Sequence, residues 1–368
     1  MMPMHVKEKL NHFHIALLIY MIELDVAAFS IPRLVAENFG TNGWVMLIPI
    51  SGVVVINVLL YRIVYRIGGG ASIFELLEAS VPKFMLVPFY VLLALFWICL
   101  GASIGKHFLL VFRLIAFQTT SPMLIFILFC FMVYALLTKT IYGICKANTI
   151  FFVLSVWMVA LTAYFWEDWK LIRFTGFWFK GALDGGALQN WTEVYSVFIG
   201  YELCAFLFPF VDGKSKLFRA VMIGHLSFAG VMLLTTWVCF GFFSFEQLKG
   251  LQYPLISSLE YIELPFVNRV ENLVFTFFLF SNLISAVMFC FAALLTLRRI
   301  FPGAREKVLE ASITLMVYGV GWGPQLLRQS IQLLRYMFKI EMALAFALPV
   351  ILIPLAMRYR KKGGEAKP

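Results

Sequence analysis

Glu23 and Asp25 stand two residues apart in Met21-Ile-Glu-Leu-Asp-Val-Ala-Ala-Phe-Ser-Ile-Pro-Arg33, and Glu202 stands in Phe198-Ile-Gly-Tyr-Glu-Leu-Cys-Ala-Phe-Leu-Phe-Pro209. Carboxylates in such apolar runs can hold an ammonium group, take up and release a proton, or pair with a buried group and fix packing. Proline follows seven to nine residues after these acids, as Pro32 and Pro209, and Gly200 lies close before Glu202. On an unbroken helix Glu23 and Asp25 point to nearly opposite faces, because two residues turn the chain about 200°. Local unwinding lets both face one cavity.

Other polar positions are read more plainly. Gly101-Ala-Ser-Ile-Gly105 is a G-x-x-x-G stripe, a close-packing face or a strip of pocket wall. Ser281, Asn282 and Ser285 share one segment and either line a cavity or bond across to a neighbour. His107 and His225 read as hydrogen-bonded structural histidines. The six cysteines, without C-x-x-C spacing, read as small apolar residues. No H-E-x-x-H, G-K-[ST] or G-x-S-x-G motif and no metal-spaced Cys/His cluster occurs, so neither an enzyme nor a metal or cofactor site is expected.

The elements that position these residues follow from composition. The 368 residues are 62% hydrophobic and 14% charged, against about 45–50% apolar and about 25% charged in soluble domains. The chain is therefore expected to be an all-α polytopic membrane protein. The net charge of +10 is spread over loops between apolar runs, which suits topology rather than nucleic acid. Ten transmembrane helices are expected, at 13–37, 44–65, 84–112, 122–144, 147–166, 191–211, 217–244, 270–297, 308–327 and 341–358. They are numbered helix 1 to helix 10. The first apolar run is too long for a signal peptide and lacks a small-residue cleavage site, so it reads as a retained helix.

The loops on the side of both termini carry Lys7, Arg62, Arg66, Lys214, Arg298, Arg299, Arg305, Lys362 and Lys367. The opposite side carries the minority, Lys106, Arg113, Arg328, Arg335 and Lys339 among them. Both termini are thus expected to be cytoplasmic. Residues 328–339 form an amphipathic stretch suited to an interfacial helix. The aromatic stretch 167–190 suits the interface belt, and 245–269 suits short helices folded over the outer mouth. A single transmembrane domain spans 1–368.

Helices 1 and 6 open two five-helix halves, about 10–166 and 190–358, and an odd number of spans per half inverts the second relative to the first. Matched interruptions in inverted halves point to a midplane site. There, free N–H groups can hold an anionic group and free carbonyls an ammonium, and an α-amino acid carries both charges.

Pro32-Arg33 closing helix 1, Gly43-Trp44 opening helix 2, Gly200 to Glu202 with Pro209, and above all Tyr253-Pro254 followed by Arg269-Val-Glu271 resemble the spore germination permeases. These are the integral-membrane B subunits of nutrient germinant receptors, in the amino acid–polyamine–organocation superfamily. The resemblance covers nearly the whole chain. It implies a five-plus-five inverted repeat resembling the leucine transporter fold, with a pocket among helices 1, 3, 6 and 8. Carried over by position, the ligand-binding candidates are Asp25, Val26, Ala27, Gly200, Tyr201 and Asn282, to which the chain's own pattern adds Glu23, Gly101 and Glu202. Asp25 and Ala27 depart from a family that carries a glycine-bearing segment there. The resemblance further implies a larger A subunit, a lipoprotein C subunit, membrane lipid and a small nutrient, an amino acid, as partners in the spore inner membrane. The rival reading is a proton-coupled secondary amino acid transporter of the bacterial cell membrane. A scaffold with a dead pocket is the third.

Overall fold

Within hydrocarbon every backbone N–H and C=O must be satisfied internally, so long apolar runs wind into helices. The computed structural model describes residues 9–116, 119–211, 216–263, 265, 269–361 and 363. Lys7, Lys214, Lys362 and Lys367, which entered the orientation argument, lie outside the described residues.

Among the described residues, six continuous helices are long and apolar enough to cross a bilayer: helix 2 (Gly43–Ile67), helix 3 (Lys83–Ile115), helix 5 (Ile141–Trp166), helix 7 (Leu217–Phe242), helix 8 (Val270–Ile300) and helix 10 (Leu327–Lys361). Two more crossings are bent pairs. Helix 1 is His12–Glu23 (1a) with Val26–Phe39 (1b), turned by 54°, and helix 6 is Ala187–Phe198 (6a) with Tyr201–Phe210 (6b), turned by 40°. The fourth and ninth places are filled by shorter helices, Pro122–Leu137 and Glu306–Val320.

Several boundaries differ from the sequence reading: helices 4 and 9 end earlier, at Leu137 and Val320, and three further differences have a local reason. Helix 5 starts at Ile141 because the Thr140 side chain accepts the Gly143 N–H at 3.2 Å, and Lys146 stays within the helix with its ammonium over the Tyr142 ring. Helix 10 runs unbroken through Arg328, Arg335 and Lys339, so the amphipathic stretch is its first half rather than a separate interfacial helix. Lys106 and Arg113 belong to helix 3, not to a loop. Lys106 is buried, its Nζ 3.0 Å from Met123 Sδ and facing the Phe126 ring.

Helices 3 and 8 form the centre. A Cβ on Gly101 would stand 3.1 Å from the Ala286 carbonyl, and Trp97 stacks on Phe289, Phe108 on Phe275. The helix 8 window is 89% buried, whereas that of helix 5 is 11% buried and turns Ile150 and Val153 outward. Over one mouth, 167–190 is laced to helices 1 and 7: Asn42 donates to the Thr175 carbonyl, Arg173 to that of Gly241, and the Trp169 ring packs at a tilt against Trp237. The short helices Phe245–Gly250 and Pro254–Leu259 lie in the next long loop, as expected. At the opposite end the six-residue helix Ile73–Glu78 begins with a capping box of Ser72 and Glu75, and Arg299 reaches Glu78 at 3.5 Å.

The glycine stripe is thus a packing face. Gly101→Leu is expected to push helix 3 off helix 8 and cost about 1–3 kcal/mol. Leu128→Ala, at a side chain 63% exposed, is expected to be nearly neutral. Recovery of monodisperse protein after graded heating in detergent distinguishes the two.

Candidate functional site

Helix 1a ends at Glu23, and Leu24 and Asp25 leave the helical path before 1b begins at Val26. Helix 8 and the break itself satisfy the freed backbone groups. Val26 N–H donates to Asn282 Oδ1 at 3.1 Å, Ser285 Oγ donates to the Ile22 carbonyl at 2.9 Å, and Ala27 N–H donates to Asp25 Oδ1 at 2.8 Å. Asp25 is therefore the N-cap of 1b, and Asn282 and Ser285 are the clamps that hold the break open.

Helix 6 breaks at Ile199 and Gly200. Gly200 has φ +121°, which a side chain rarely adopts, and a Cβ there would lie 2.6 Å from Ile22 Cγ2. That contact sets the two breaks against each other. Gly200 N–H donates to Glu202 Oε2 at 2.9 Å, so one oxygen of Glu202 caps helix 6b while Oε1 has no partner.

The acids have separate surroundings. Glu23 meets His225 of helix 7, with Nδ1 at 2.9 and 3.1 Å from its two oxygens, and His225 Nε2 lies 2.9 Å from Ser51 Oγ of helix 2. All three residues are buried. The order carboxylate, imidazole, hydroxyl is that of a hydrolase triad, and Ser51 lies outside the walls of both cavities described below. Glu202 instead faces Glu341 of helix 10, whose two oxygens are buried without a partner. Around that pair Asn57 donates to Tyr201 Oη at 2.6 Å and to the Ala345 carbonyl at 3.0 Å, and Tyr195 and Tyr201 hydroxyls lie 2.7 Å apart.

A cavity of about 80 Å³ opens on the side of the breaks away from the chain's ends. Ala27, Ser30 and Arg33 of helix 1b form one wall, Glu193 and Ser196 of 6a another, Leu334, Arg335 and Phe338 of helix 10 a third, and His107 with Tyr253 the remainder. His107 Nδ1 is 3.1 Å from Ser330 Oγ and its Nε2 is 3.4 Å from the Tyr253 hydroxyl. Burial pushes the Tyr253 phenol up to about 12, so it stays a neutral hydroxyl. Charge gathers at the mouth: Arg33 donates to Gln252 Oε1 at 3.0 Å and approaches Glu37 at 4.0 Å, and Arg335 approaches Glu193 at 3.9 Å. A second, apolar cavity of about 60 Å³ lies among helices 1, 5, 7 and 8, with Tyr20, Met158 and Phe278 in its wall.

Of the ligand-binding candidates read from the sequence, the breaks gather Glu23, Asp25, Val26, Ala27, Gly200, Tyr201, Glu202 and Asn282, and of these eight Ala27 alone lines the charged cavity. Gly101 packs on helix 8 away from it. Glu341, Asn57, Ser51, His107 and Tyr253 were not foreseen as neighbours of these residues. Their partners lie 139 or more residues away, beyond the reach of any local spacing rule. His225 does prove to be a hydrogen-bonded histidine, but of the break itself.

Removing that imidazole leaves Glu23 buried and unpaired. His225→Ala is expected to cost about 3–5 kcal/mol, and Ser51→Ala, which takes one hydrogen bond from His225, about 1 kcal/mol. Denaturant titration of the purified chain in mixed micelles measures both.

A family model described as spore germination protein matches residues 9–321. Spore germination protein B2 of Bacillus subtilis (strain 168) is 22% identical over 276 residues, 72% of each chain. Spore germination protein A2 of the same organism is 23% identical over 356 residues, 94% of each. Among solved structures, MHP1, a nucleobase-cation-symport-1 family transporter in a closed conformation with bromovinylhydantoin bound, superposes with a TM-score of 0.63 at 15% identity over 95% of this chain and 79% of that one. The Eremococcus coleocola manganese transporter gives 0.57 at 12% over 93% and 78%. Fold and broken helices are thus those of inverted-repeat transporters, and the chain is a multi-pass membrane protein. With 9–321 matched, it belongs to the spore germination protein family, the spore permeases.

Proposed function

We propose that this chain is the B-type, transporter-like subunit of a germinant receptor, and that it binds a small zwitterionic nutrient, an amino acid, between the facing breaks and the charged cavity above them. The observation that carries the reading is the cavity itself, with Arg33 and Arg335 offered to a carboxylate and Glu193 to an ammonium, and with Ala27 and Ser30 of the broken helix at its floor. Its chemistry is recognition, and the protein is read as non-enzymatic. Ligand binding favours one arrangement of helices 1b, 6a and 10 over another and so biases the larger A subunit and the lipoprotein packed against them. Both termini face the cytoplasm and the chain resides in the spore inner membrane.

The rival, a proton-coupled amino acid transporter, draws on the buried acids Glu23 and Glu202 beside the breaks. Reconstitution separates the two. A receptor binds labelled amino acid in liposomes without counterflow; sustained counterflow overturns the receptor reading in favour of transport.

Space at the cavity floor gives a direct check. Ala27→Leu and Ser30→Leu are each expected to lower the germination response to amino acids at least tenfold while protein level stays unchanged, because both side chains line the cavity and a larger one occupies it. Gly200 is a poorer probe, since its φ and Ile22 make any side chain there a folding defect. Germination assays on spores carrying each variant, with membrane immunoblots alongside, read the outcome.

A further inference from the structure

Where helix 6b meets helix 10, three buried acceptors lack a donor. Glu341 offers two oxygens and Glu202 one, and the two carboxyl groups lie within hydrogen-bonding reach of each other. Asn57 of helix 2 adds a third residue: its amide nitrogen bridges Tyr201 and Ala345, and its Oδ1 has no partner. Buried polar atoms are nearly always paired, and an unpaired group costs about 1–3 kcal/mol, more when charged. Here every orphan at the seam is an acceptor, so the missing component bears a positive charge or a hydrogen.

No neighbour among the described residues brings a free cation, and none of the neighbouring O–H, S–H or N–H groups is hydrogen-bonded to these oxygens. Helix 1 brings Glu23 and Asp25, further acids; helices 2 and 6 bring Tyr61, Tyr195, Tyr201 and Cys204; helix 7 brings His225, whose Nδ1 is committed to Glu23. Among the described residues no three His, Cys, Asp or Glu side chains are grouped to hold a metal ion. Two facing carboxyls need only one hydrogen between them to form a short O–H···O⁻ bond.

We propose that Glu202 and Glu341 share one bound proton, a site that fastens helix 6b to helix 10. Its consequence reaches the cavity. Helix 10 is one unbroken helix, and the residues it gives to the cavity, Leu334, Arg335 and Phe338, lie within two turns of Glu341. Loss of the proton puts two anions face to face in an apolar seam and drives helix 10 away from helix 6b. Proton occupancy and cavity shape are thereby linked, whichever nutrient the cavity takes.

The test uses the purified full chain without nutrient, so it stands apart from the receptor reading. Folded protein holds a proton at the seam that the hydrated, unfolded chain releases above about pH 5, so stability must fall as pH rises, by up to about tenfold in the folding equilibrium per pH unit. Thermal unfolding in nanodiscs between about pH 5 and pH 8 is expected to show that slope. Glu341→Gln replaces the shared hydrogen with an amide N–H, so it should remain folded with a slope shallower by one proton's share, and Glu202→Gln should do the same. The infrared band of a protonated carboxyl should be present near pH 7 in the original chain and diminished in each variant. An unchanged slope in both variants overturns the proposal. So does a protein whose stability at fixed pH rises when sodium or potassium replaces choline and whose variants lose that response, since the occupant is then a metal cation. If neither variant folds, the infrared titration of the original chain decides alone: absence of the protonated band near neutral pH overturns the shared proton.

Discussion

Everything at the centre of this protein depends on one constraint: a backbone that leaves its helix inside an apolar bundle must find partners for the groups it frees. Helix 1 meets it with side chains from helix 8, Asn282 taking the Val26 N–H and Ser285 giving to the Ile22 carbonyl, and with its own Asp25. Helix 6 meets it with Glu202, which turns back on Gly200. Because helix 8 is also the most buried of the six continuous spans, braced along helix 3, the clamps sit on the element most enclosed by its neighbours. The breaks are thereby held from a fully packed helix, while the half-helices 1b and 6a reach away from it to line the cavity.

This division explains why acids read as one cluster in the sequence serve separate tasks in space. Asp25 is spent on backbone. Glu23 is neutralised sideways, through His225 toward helix 2, and Glu202 is divided between its own helix and helix 10. None of the three lines the charged cavity, whose polar groups come from Arg33, Glu193 and Arg335 at its mouth. A ligand drawn in by those charges would meet the breaks through Ala27 and Ser30 at the floor.

The breaks were legible before any coordinates, since an acid, a glycine or a proline at mid-span violates both hydropathy and helix propensity, and Glu23, Asp25, Gly200 and Pro209 do so in matching places. Spans were legible for the same reason, through length and hydropathy. What stayed hidden was pairing. Nothing near His225 announces Glu23, and Glu341 stood at the edge of a stretch whose Arg335 and Lys339 suggested an interface, although a continuous helix carries it into the core. Gly101 shows the converse: a real local signal, small residues four apart, whose use was decided by a distant carbonyl, that of Ala286. Local spacing reports where a helix will be strained or close to a neighbour; it does not say which neighbour.

Helices 4 and 9, the two short ones, pack on each other, Phe126 stacking on Tyr318, so their brevity is concentrated on one flank. Sixteen and fifteen residues rise about 24 and about 22 Å, against a hydrocarbon layer of about 30 Å. On that flank the bilayer has to thin, or the loops at either end have to enter it, whereas helix 3 beside them rises about 50 Å and must tilt or protrude. Hydrophobic mismatch is therefore lopsided around the molecule. The depressed lipid surface would lie near Met123 at the start of helix 4, beside the buried ammonium of Lys106, where headgroup water is closest. A thicker or stiffer membrane loads this flank first, so lipid composition becomes a mechanical input to the protein, applied through the short helices to both helix 3 and helix 8.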